Sequence, residues 1–240
     1  MKKDSLAVVM PVYNEEGAIG NVLSKWNKTL EGLNIDFHIH AYNDGSKDNT
    51  LKILNEFAAQ SEGRLVVHDK PNSGHGPTIL QGYRDNANNC EWIFQIDSDD
   101  EMGPEGFHYL WEQRDKYDFL IGLRDCREQP MPRKIISLVS RLCVRVFYGK
   151  SVWDVNSPYR LMRTDKFKEL YYKIPMDTFA PNVIISGFIG KAALKYFEYP
   201  VTHGDRKTGE VSIKKWKLLK AAARSFKQTV LFSMKQDIVQ

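Results

Sequence analysis

The chain has 240 residues, 42% of them apolar and 27% charged, a balance that excludes a disordered or fibrous protein. Its net charge of +4 is too small to indicate nucleic acid binding, and no nucleic acid reader motif accompanies it. The length fits one integrated domain, because domains typically have roughly 100–200 residues and no linker or internal repeat divides this sequence.

We expect neither a transmembrane helix nor a secretory signal, because no apolar run approaches the ~20 residues that span a bilayer. The cysteines Cys90, Cys126 and Cys143 are widely spaced and odd in number. This usage favours a reducing cytoplasm over a disulfide framework or a zinc site.

The first half of the chain alternates short apolar runs with amphipathic stretches, as layered α/β proteins do. Residues 6–12 form a continuous apolar run, which is typical of a strand buried on both faces. Asn14 is a candidate N-cap for the next helix, with Glu15 and Glu16 in its first turn. The further predicted strands are 37–42, 64–68 and 92–96, and the further helices are about 51–58 and a helix from about 78.

This alternation predicts an α/β fold with a Rossmann-like, mainly parallel sheet and helices on both faces. Ligands of such sheets bind at the carboxyl ends of the strands. A polar cluster follows each of the four strands, so we expect one site to form there. The clusters are residues 13–15, 44–46, 72–76 and 97–100.

The second half is less regular and contains two basic amphipathic helices. Residues 206–227 carry eight Lys or Arg against one Glu, a pattern that favours reversible attachment to an anionic membrane surface. In the alternative interpretation, both apolar stripes pack on the domain and leave solvated basic faces. The predicted strands are 118–123, 159–162 and 196–201, and the predicted helices are 133–148, 182–194 and 213–232.

The strongest chemical signal is Asp97-Ser98-Asp99, directly after an apolar strand. Two carboxylates at i and i+2 in a turn can reach one hard cation, so the pattern indicates Mg²⁺ or Mn²⁺. A solvated acidic turn is the alternative, because turns favour Asp. A nucleotidyltransferase would instead need a basic loop after the first strand, where this chain has acidic residues 14–16.

Six ordered motifs together resemble glycosyltransferase family 2, whose members are inverting enzymes with the GT-A fold. They run from about residue 6 to 212, and the subgroup they resemble most is the dolichyl-phosphate mannose synthase type, which uses polyprenyl phosphates. The motifs are Pro11-x-Tyr13-Asn14-Glu15, Asn43-Asp44-Gly45-Ser46, Asn72-x-Gly74-x-Gly76, Asp97-x-Asp99, Asp154 to Arg160, and Arg206 to Ser212.

The resemblance implies a donor half over about 1–123 and an acceptor half over about 124–240 of a single GT-A domain. In the donor half, Asp97 and Asp99 would contact ribose, metal and diphosphate, with Glu101 as a third metal ligand. The donor-binding residues would be Pro11, Tyr13 and Glu15 around base and ribose, Asp44 at the base edge, Gly74 and Gly76 beside the nucleotide, and Asp97.

In the acceptor half, Arg124, Arg133 and Arg206 would meet phosphates, and Arg206 would be catalytic together with Asp97 and Asp99. Ser157 and Arg160 would belong to the acceptor site. The residue types themselves also allow roles outside substrate binding for several of these positions. Tyr13 would pack a strand end, Asp44 would only cap a turn, Arg160 would form a structural ion pair, and His75 and His203 would be solvated.

The acceptor is expected to be a lipid phosphate. Asn182 stands where family members that act on sugar hydroxyls usually carry an acid, and an amide cannot abstract a proton. A phosphate is already ionised and needs no base. Asp154 or Asp177 would be the base in the rival hypothesis, a sugar-hydroxyl transferase for surface polysaccharide. Pro158 replaces the usual Gly of its motif.

The sequence therefore predicts an inverting, metal-dependent transferase that uses a UDP- or GDP-linked sugar and a lipid-linked acceptor. The competing hypothesis that does not involve an enzyme is a catalytically silent subunit that binds nucleotide sugars. We expect the protein on the inner face of the cytoplasmic membrane, either directly or through a membrane protein partner.

Overall fold

The computed structural model describes residues 5–124, 131–204 and 215–235. Seven strands and eight α-helices are found there, with 3₁₀ turns at Pro104–Gly106 and Arg114–Lys116. The strands are β1 (Ser5–Val12), β2 (Asp36–Asp44), β3 (Leu65–Lys70), β4 (Trp92–Gln95), β5 (Phe119–Arg124), β6 (Arg160–Arg163) and β7 (Tyr196–Val201). The helices are α1 (Ile19–Gly32), α2 (Thr50–Gln60), α3 (His75–Asn86), α4 (Phe107–Gln113), α5 (Met131–Tyr148), α6 (Thr164–Lys173), α7 (Pro181–Lys191) and α8 (Lys215–Ser233).

All seven strands join in one sheet of order β3-β2-β1-β4-β6-β5-β7. The pairs among β1 to β4 and the pair β5–β7 are parallel, whereas β6 runs antiparallel to both of its neighbours. The prediction of a mainly parallel sheet with helices on both faces is confirmed. Because β6 is reversed, Arg160 at its amino end pairs with Gln95 at the carboxyl end of β4.

The apolar run of β1 is buried on both faces because alternate side chains enter two separate cores. Leu6, Val8 and Met10 pack with α1, α2 and α4, and Ala7 and Val9 pack with the helices of the opposite face. Each large apolar side chain that is fully buried contributes about 1.5–3 kcal/mol. Stability therefore depends on both layers of helices.

Asn14 does not cap α1, contrary to the prediction, since the helix begins only at Ile19. The backbone of Asn14 has a φ of 54°, a conformation that Asn tolerates better than most residues. Its N–H donates to Ser46 Oγ at 3.0 Å, and its Oδ1 accepts from Lys47 N–H at 2.8 Å. Asn14 therefore joins the loop after β1 to the loop after β2.

Two short helices, α4 and α6, were not predicted, and the other elements differ from the predicted bounds by a few residues. The helix α3 begins at His75 and not near Thr78, because Gly74, with a φ of 94°, ends the preceding loop. This shift places the first turn of α3 next to the predicted site.

Candidate active site

A cavity of about 760 Å³ opens at the carboxyl ends of β1, β2 and β4. It collects side chains from all four predicted polar clusters and, on its far wall, from the second half of the chain. The lining residues from the first half are Pro11 to Tyr13, Glu15, Asp44, Asn72 to Ile79, and Asp97 to Asp99. Those from the second half are Asn156, Asp177, Phe179 to Asn182, and Arg224.

The loop after β1 provides one exposed and one buried side chain. Tyr13 is 37% exposed, so it lies at the mouth of the cavity rather than packing the strand end. Glu15 is buried, and its N–H donates to Thr50 Oγ1 at 2.8 Å. The start of α2 thus fixes the loop, while the aromatic ring of Tyr13 remains available for a ligand.

Asp44 is a buried carboxylate that holds together the loop after β3. It accepts hydrogen bonds from Lys70 Nζ, from Ser73 N–H at 2.8 Å and from Gly74 N–H at 2.9 Å. Burial by itself raises the pKa of Asp44, but the hydrogen bonds and the charge of Lys70 outweigh it, so the pKa lies below its usual value. Asp44 therefore shapes the cavity wall in its ionised form.

Gly76 has a packing role that the sequence did not indicate. A Cβ at this position would lie 2.2 Å from the Phe179 carbonyl oxygen and 2.4 Å from that of Thr178. Only glycine permits so close an approach of two backbones. Gly76 thus lets α3 meet the 177–180 loop, and the two segments enclose the cavity from opposite sides.

Asp97 rests on a buried polar network beneath the cavity floor. Gln95 donates its Nε2 to Asp97 Oδ1 at 3.3 Å, and Gln95 Oε1 accepts from Asn182 Nδ2 at 2.8 Å. The Tyr83 hydroxyl contacts both amide side chains. On the other side of Asp97, His75 Nε2 lies 3.8 Å from Asp97 Oδ1. The Gln95 amide, held in turn by Asn182 and Tyr83, thereby orients the carboxylate towards the cavity.

The turn that bears Asp99 is anchored to β1 and to α1, and one hydrogen bond closes it from within. Ser98 Oγ donates to the Pro11 carbonyl at 2.9 Å, and Lys25 Nζ donates to the Asp100 carboxylate at 2.9 Å. Asp99 Oδ1 accepts from Glu101 N–H at 3.2 Å. These contacts hold the Asp-x-Asp turn against β1 and α1. Asp100, which the sequence analysis left without a role, anchors this turn to α1 and does not line the cavity.

Glu101 is not placed as a third metal ligand. It does not line the cavity, and its carboxylate lies 3.2 Å from His203 Nε2. Its carbonyl accepts from Gly204 N–H at 2.8 Å. The turn after Asp99 directs the Glu101 side chain towards the end of β7. Its contact with His203 joins this turn to the segment that follows β7.

Arg160 and Ser157 are structural, contrary to their predicted contact with the acceptor. Arg160 is fully buried and donates to the carbonyls of Ser157, Val155 and Asn182 at distances between 2.6 and 3.3 Å. Burial lowers the pKa of its guanidinium to about 10, so it remains charged near neutral pH. Ser157 Oγ donates to the Gly122 carbonyl at 2.6 Å. The motif therefore builds the floor beneath the site.

The other predicted phosphate-binding arginines have different positions. Arg124 forms two hydrogen bonds to the Asp154 carboxylate, at 2.8 and 3.0 Å, and does not line the cavity. This pair also engages Asp154, one of the two candidate bases. Arg133 lies on α5 at a position whose side chain is not described, and Arg206 and Cys126 lie outside the described residues.

The far wall of the cavity consists of the 177–180 loop, the start of α7 and one residue of α8. Asn182 lines the cavity from the first turn of α7, where the sequence analysis noted the missing acid. Arg224 of α8 lines it as well, with its Nη2 3.2 Å from Asp177 Oδ2. Sequence reasoning missed Arg224, since it is one of many basic residues on that helix.

Asp97 and Asp99 fit a hard divalent cation by the chemistry of their donor atoms. Both line the same cavity with carboxylate oxygens, the ligands that Mg²⁺ and Mn²⁺ prefer. Within 5–124, 131–204 and 215–235, no three His, Cys, Asp or Glu side chains group to hold a metal ion. Mg²⁺ is commonly held by one or two carboxylates together with substrate phosphates and water. The pair thus suits a metal that is completed by a diphosphate.

This is an open α/β sheet with a carboxylate pair and a cavity at the carboxyl ends of its strands, where such folds bind their ligands. The model of glycosyl transferase family 2 matches residues 7–183. The chain belongs to this family, which confirms the resemblance found in the motifs.

Similar proteins include the undecaprenyl-phosphate 4-deoxy-4-formamido-L-arabinose transferases of Edwardsiella ictaluri and Klebsiella pneumoniae. They are 28% and 29% identical over 208 and 209 residues, which is 85% of this chain in both cases. The alignments span only 62% and 61% of the relatives' own lengths.

Solved structures show the same fold at low identity. Glucosyl-3-phosphoglycerate synthase from Mycobacterium tuberculosis, in complex with Mn²⁺, UDP and glucosyl-3-phosphoglycerate, has a TM-score of 0.64 at 15% identity. That match covers 98% of this chain and 82% of the synthase. Staphylococcus aureus TarS in complex with UDP has a TM-score of 0.55 at 17% identity, covering 92% of this chain and 65% of TarS. The predicted GT-A type of fold is thereby confirmed.

Proposed function

We propose that this protein is an inverting, metal-dependent glycosyltransferase that moves a sugar from a nucleoside diphosphate sugar to a polyprenyl phosphate. The observation that carries the proposal is the cavity itself. It brings Asp97 and Asp99 together with Tyr13, Asp44 and the first turn of α3 at the carboxyl ends of three strands. Family membership supports glycosyl transfer, and the similar undecaprenyl-phosphate transferases support the acceptor.

On the donor side, Tyr13 and the loop ordered by Asp44 would receive the nucleoside, because they line one end of the cavity. Asp97 and Asp99 would hold Mg²⁺ or Mn²⁺, which as a Lewis acid supplies stabilisation for the charge of the leaving diphosphate. Gln95 fixes the orientation of Asp97 by a hydrogen bond from its side-chain amide. The donor diphosphate would therefore lie between the Asp-x-Asp turn and α3.

On the acceptor side, the far wall, in the part of the chain that the structure describes, holds no carboxylate without a cationic partner. Asn182 is an amide whose Oδ1 and Nδ2 are both engaged, with Tyr83 and Gln95 respectively. Asp177 lines the cavity but pairs with Arg224. A phosphate monoester is already a nucleophile near neutral pH, so this wall favours it over an alcohol. Asp177 keeps a sugar-hydroxyl transferase as the second candidate.

Membrane association is part of the proposal, because α5 exposes its apolar stripe. Leu138, Val139, Leu142 and Val146 are 46–67% exposed, whereas apolar stripes of helices normally face a core. Arg141 lies 3.7 Å above the ring of Trp153, which is also exposed, so a cation borders the stripe. An apolar stripe with a cationic border suits the interface of an anionic bilayer. No helix in the described residues is long and apolar enough to cross a membrane.

A transfer assay tests the function. The purified chain is incubated with Mn²⁺, undecaprenyl phosphate in detergent micelles, and radiolabelled UDP- and GDP-sugars in turn. We expect one donor to give an organic-soluble product, and we expect no product in EDTA. Hydrolysis or transfer to a free sugar without any lipid product would support the hydroxyl transferase. Donor binding without turnover of any kind would support a silent binding subunit.

A further inference from the structure

The charges that line the cavity are strongly unbalanced. Among the described residues, Arg224 is the only Lys or Arg in its lining. The lining carboxylates are Glu15, Asp44, Asp97, Asp99 and Asp177. A phosphate monoester carries about −1.5 to −2 charges at pH 7, so it enters such a cavity favourably only next to a cation. The cation that the described lining offers to a phosphate therefore lies on α8.

The position of Arg224 is fixed by the loop that forms the far wall. Its Nη2 donates to the Asp177 carbonyl at 2.8 Å and approaches Asp177 Oδ2 at 3.2 Å. Gln228, one turn further along α8, donates to the same carbonyl at 3.2 Å and accepts from Phe179 N–H at 2.8 Å. The guanidinium is thus held at the cavity wall by the backbone of the loop.

The held guanidinium still has donors to offer. Within the described part of the chain, both of its hydrogen bonds come from Nη2, so Nε and Nη1 can serve a ligand. The side chains of Arg224 and Asp177 are 54% and 73% exposed, and exposed pairs of this kind contribute only about 0–1 kcal/mol. A phosphate dianion can displace the Asp177 carboxylate, because a guanidinium binds phosphate through parallel hydrogen bonds.

Of the arginines predicted to bind phosphate, the two whose side chains the structure describes are committed elsewhere. Arg160 is fully buried on backbone carbonyls, and Arg124 is held by Asp154 outside the cavity. Resting on the proposed function, we infer that Arg224 binds the phosphate of the acceptor, and that Asp177 occupies Arg224 until the acceptor arrives. In the transfer, a phosphate oxygen of the acceptor forms a bond to the anomeric carbon. The bond from that carbon to the donor diphosphate breaks, and its electron pair leaves with the nucleoside diphosphate.

The test measures KM for donor and acceptor separately in Arg224→Gln, Arg224→Lys and Asp177→Asn. Undecaprenyl phosphate is one acceptor arm and undecaprenol is the other. We expect Arg224→Gln to raise KM for the phosphate about 10- to 100-fold, as the loss of a hydrogen bond to a charged group does, with the donor KM unchanged. Arg224→Lys should recover part of the loss. Asp177→Asn removes the carboxylate that competes for Arg224, so it should lower KM for the phosphate. A raised KM would overturn the inference.

Arg64→Gln is the matched control, because Arg64 also pairs with an exposed carboxylate, that of Glu31, but lies outside the cavity. An Arg224→Gln enzyme that behaves like Arg64→Gln would overturn the inference and leave the proposed function intact. A raised donor KM would assign Arg224 to the donor diphosphate instead. If Gln228→Ala raised the acceptor KM equally, holding the loop would explain the loss, which also overturns the inference.

Two further results would decide between the acceptor classes. A kcat for undecaprenol that falls more than about 100-fold in Asp177→Asn would identify Asp177 as a base for a hydroxyl acceptor and overturn the inference. A wild-type enzyme that transfers sugar to neither lipid would overturn both the inference and the proposed function.

Discussion

The two sides of the cavity are built by different rules. On the side of residues 5–124, the lining lies at the ends of β1, β2 and β4 and in the loop from β3 into α3, and the parallel strands bring these segments to one rim. On the side of residues 131–235, the lining comes from Asn156, the 177–180 loop, the start of α7 and the middle of α8. The first side depends on strand ends and the second depends on how helices pack.

This difference explains why some sequence motifs place side chains in the cavity, whereas others place them in the protein interior. Asp97 and Asp99 line the cavity because the turn after a parallel strand must point out of the sheet. The segment from Asp154 to Arg160 precedes the antiparallel strand β6, and its largest polar side chain turns inward to bind three carbonyls. A polar motif thus lines the site on one side, whereas the motif on the other side supports the cavity from below and adds only Asn156 to its lining.

The largest effect is expected on the donor side. Asp99→Asn should lower sugar transfer by about 100-fold or more, because removing one charged group that stabilises a transition state commonly costs 10²–10³ in rate. The amide can still accept from Glu101 N–H, so the turn should keep its shape. The measurement is the initial rate of lipid product formation, with thermal unfolding to confirm the fold.

Asp165→Asn serves as the control for Asp99→Asn. Asp165 is an exposed carboxylate in the first turn of α6 and lies outside the cavity. Parental transfer rates in both variants would mean that the metal and the diphosphate do not depend on the Asp-x-Asp turn.

Arg160→Met should damage the second side through stability. The carbonyls of Ser157, Val155 and Asn182 lose their buried donor, which should lower the free energy of unfolding by about 3 kcal/mol. Urea unfolding followed by Trp fluorescence measures this change. If Arg160 instead bound the acceptor, Arg160→Met would raise the acceptor KM and leave the urea midpoint unchanged. That result would show that Arg160 is not a structural residue.

Gly76→Ala tests the contact between the two sides. The added methyl would meet the Phe179 carbonyl oxygen at 2.2 Å, so α3 and the 177–180 loop must separate, at a cost of about 1–3 kcal/mol. We also expect weaker binding of UDP or GDP, measured by calorimetry, because α3 lines the cavity. Gly32→Ala is the control, since no atom lies within 4 Å of its added methyl. Equal stability of the two variants would rule out the tight backbone contact.

The smallest effect is expected on the outer surface of the second side. Leu142→Gln should weaken binding to anionic vesicles about 10-fold, because part of one leucine leaves an apolar environment, and should barely change the free energy of unfolding. Flotation across a salt series measures it, with weaker binding expected at high salt. Tyr109→Gln is the control, an exposed residue on α4, whose neighbours pack in the core of the opposite sheet face. Unchanged flotation of Leu142→Gln would show that α5 does not contact the bilayer.

The sequence was sufficient for the sheet and for the donor side. The continuous burial of β1 and the polar turns after each strand follow from local pattern. The strand ends of a parallel sheet meet wherever the chain folds as such a sheet. Tyr13, Asp44, Asp97 and Asp99 were therefore placed correctly in one cavity from sequence position alone. The roles of these residues towards a donor remain predictions.

The acceptor side was decided by tertiary packing. An arginine in a motif has the same local sequence whether it points into a cavity or onto carbonyls, and only the reversal of β6 against β4 turns Arg160 inward. Glu101 was drawn to His203 by a segment about a hundred residues away, and Gly76 is required by the carbonyls of an equally distant loop. Arg224 reaches the cavity because α8 packs against the 177–180 loop. Local pattern fixes periodicity and turns, whereas the direction of a long polar side chain depends on which buried oxygens the fold leaves for it to bind.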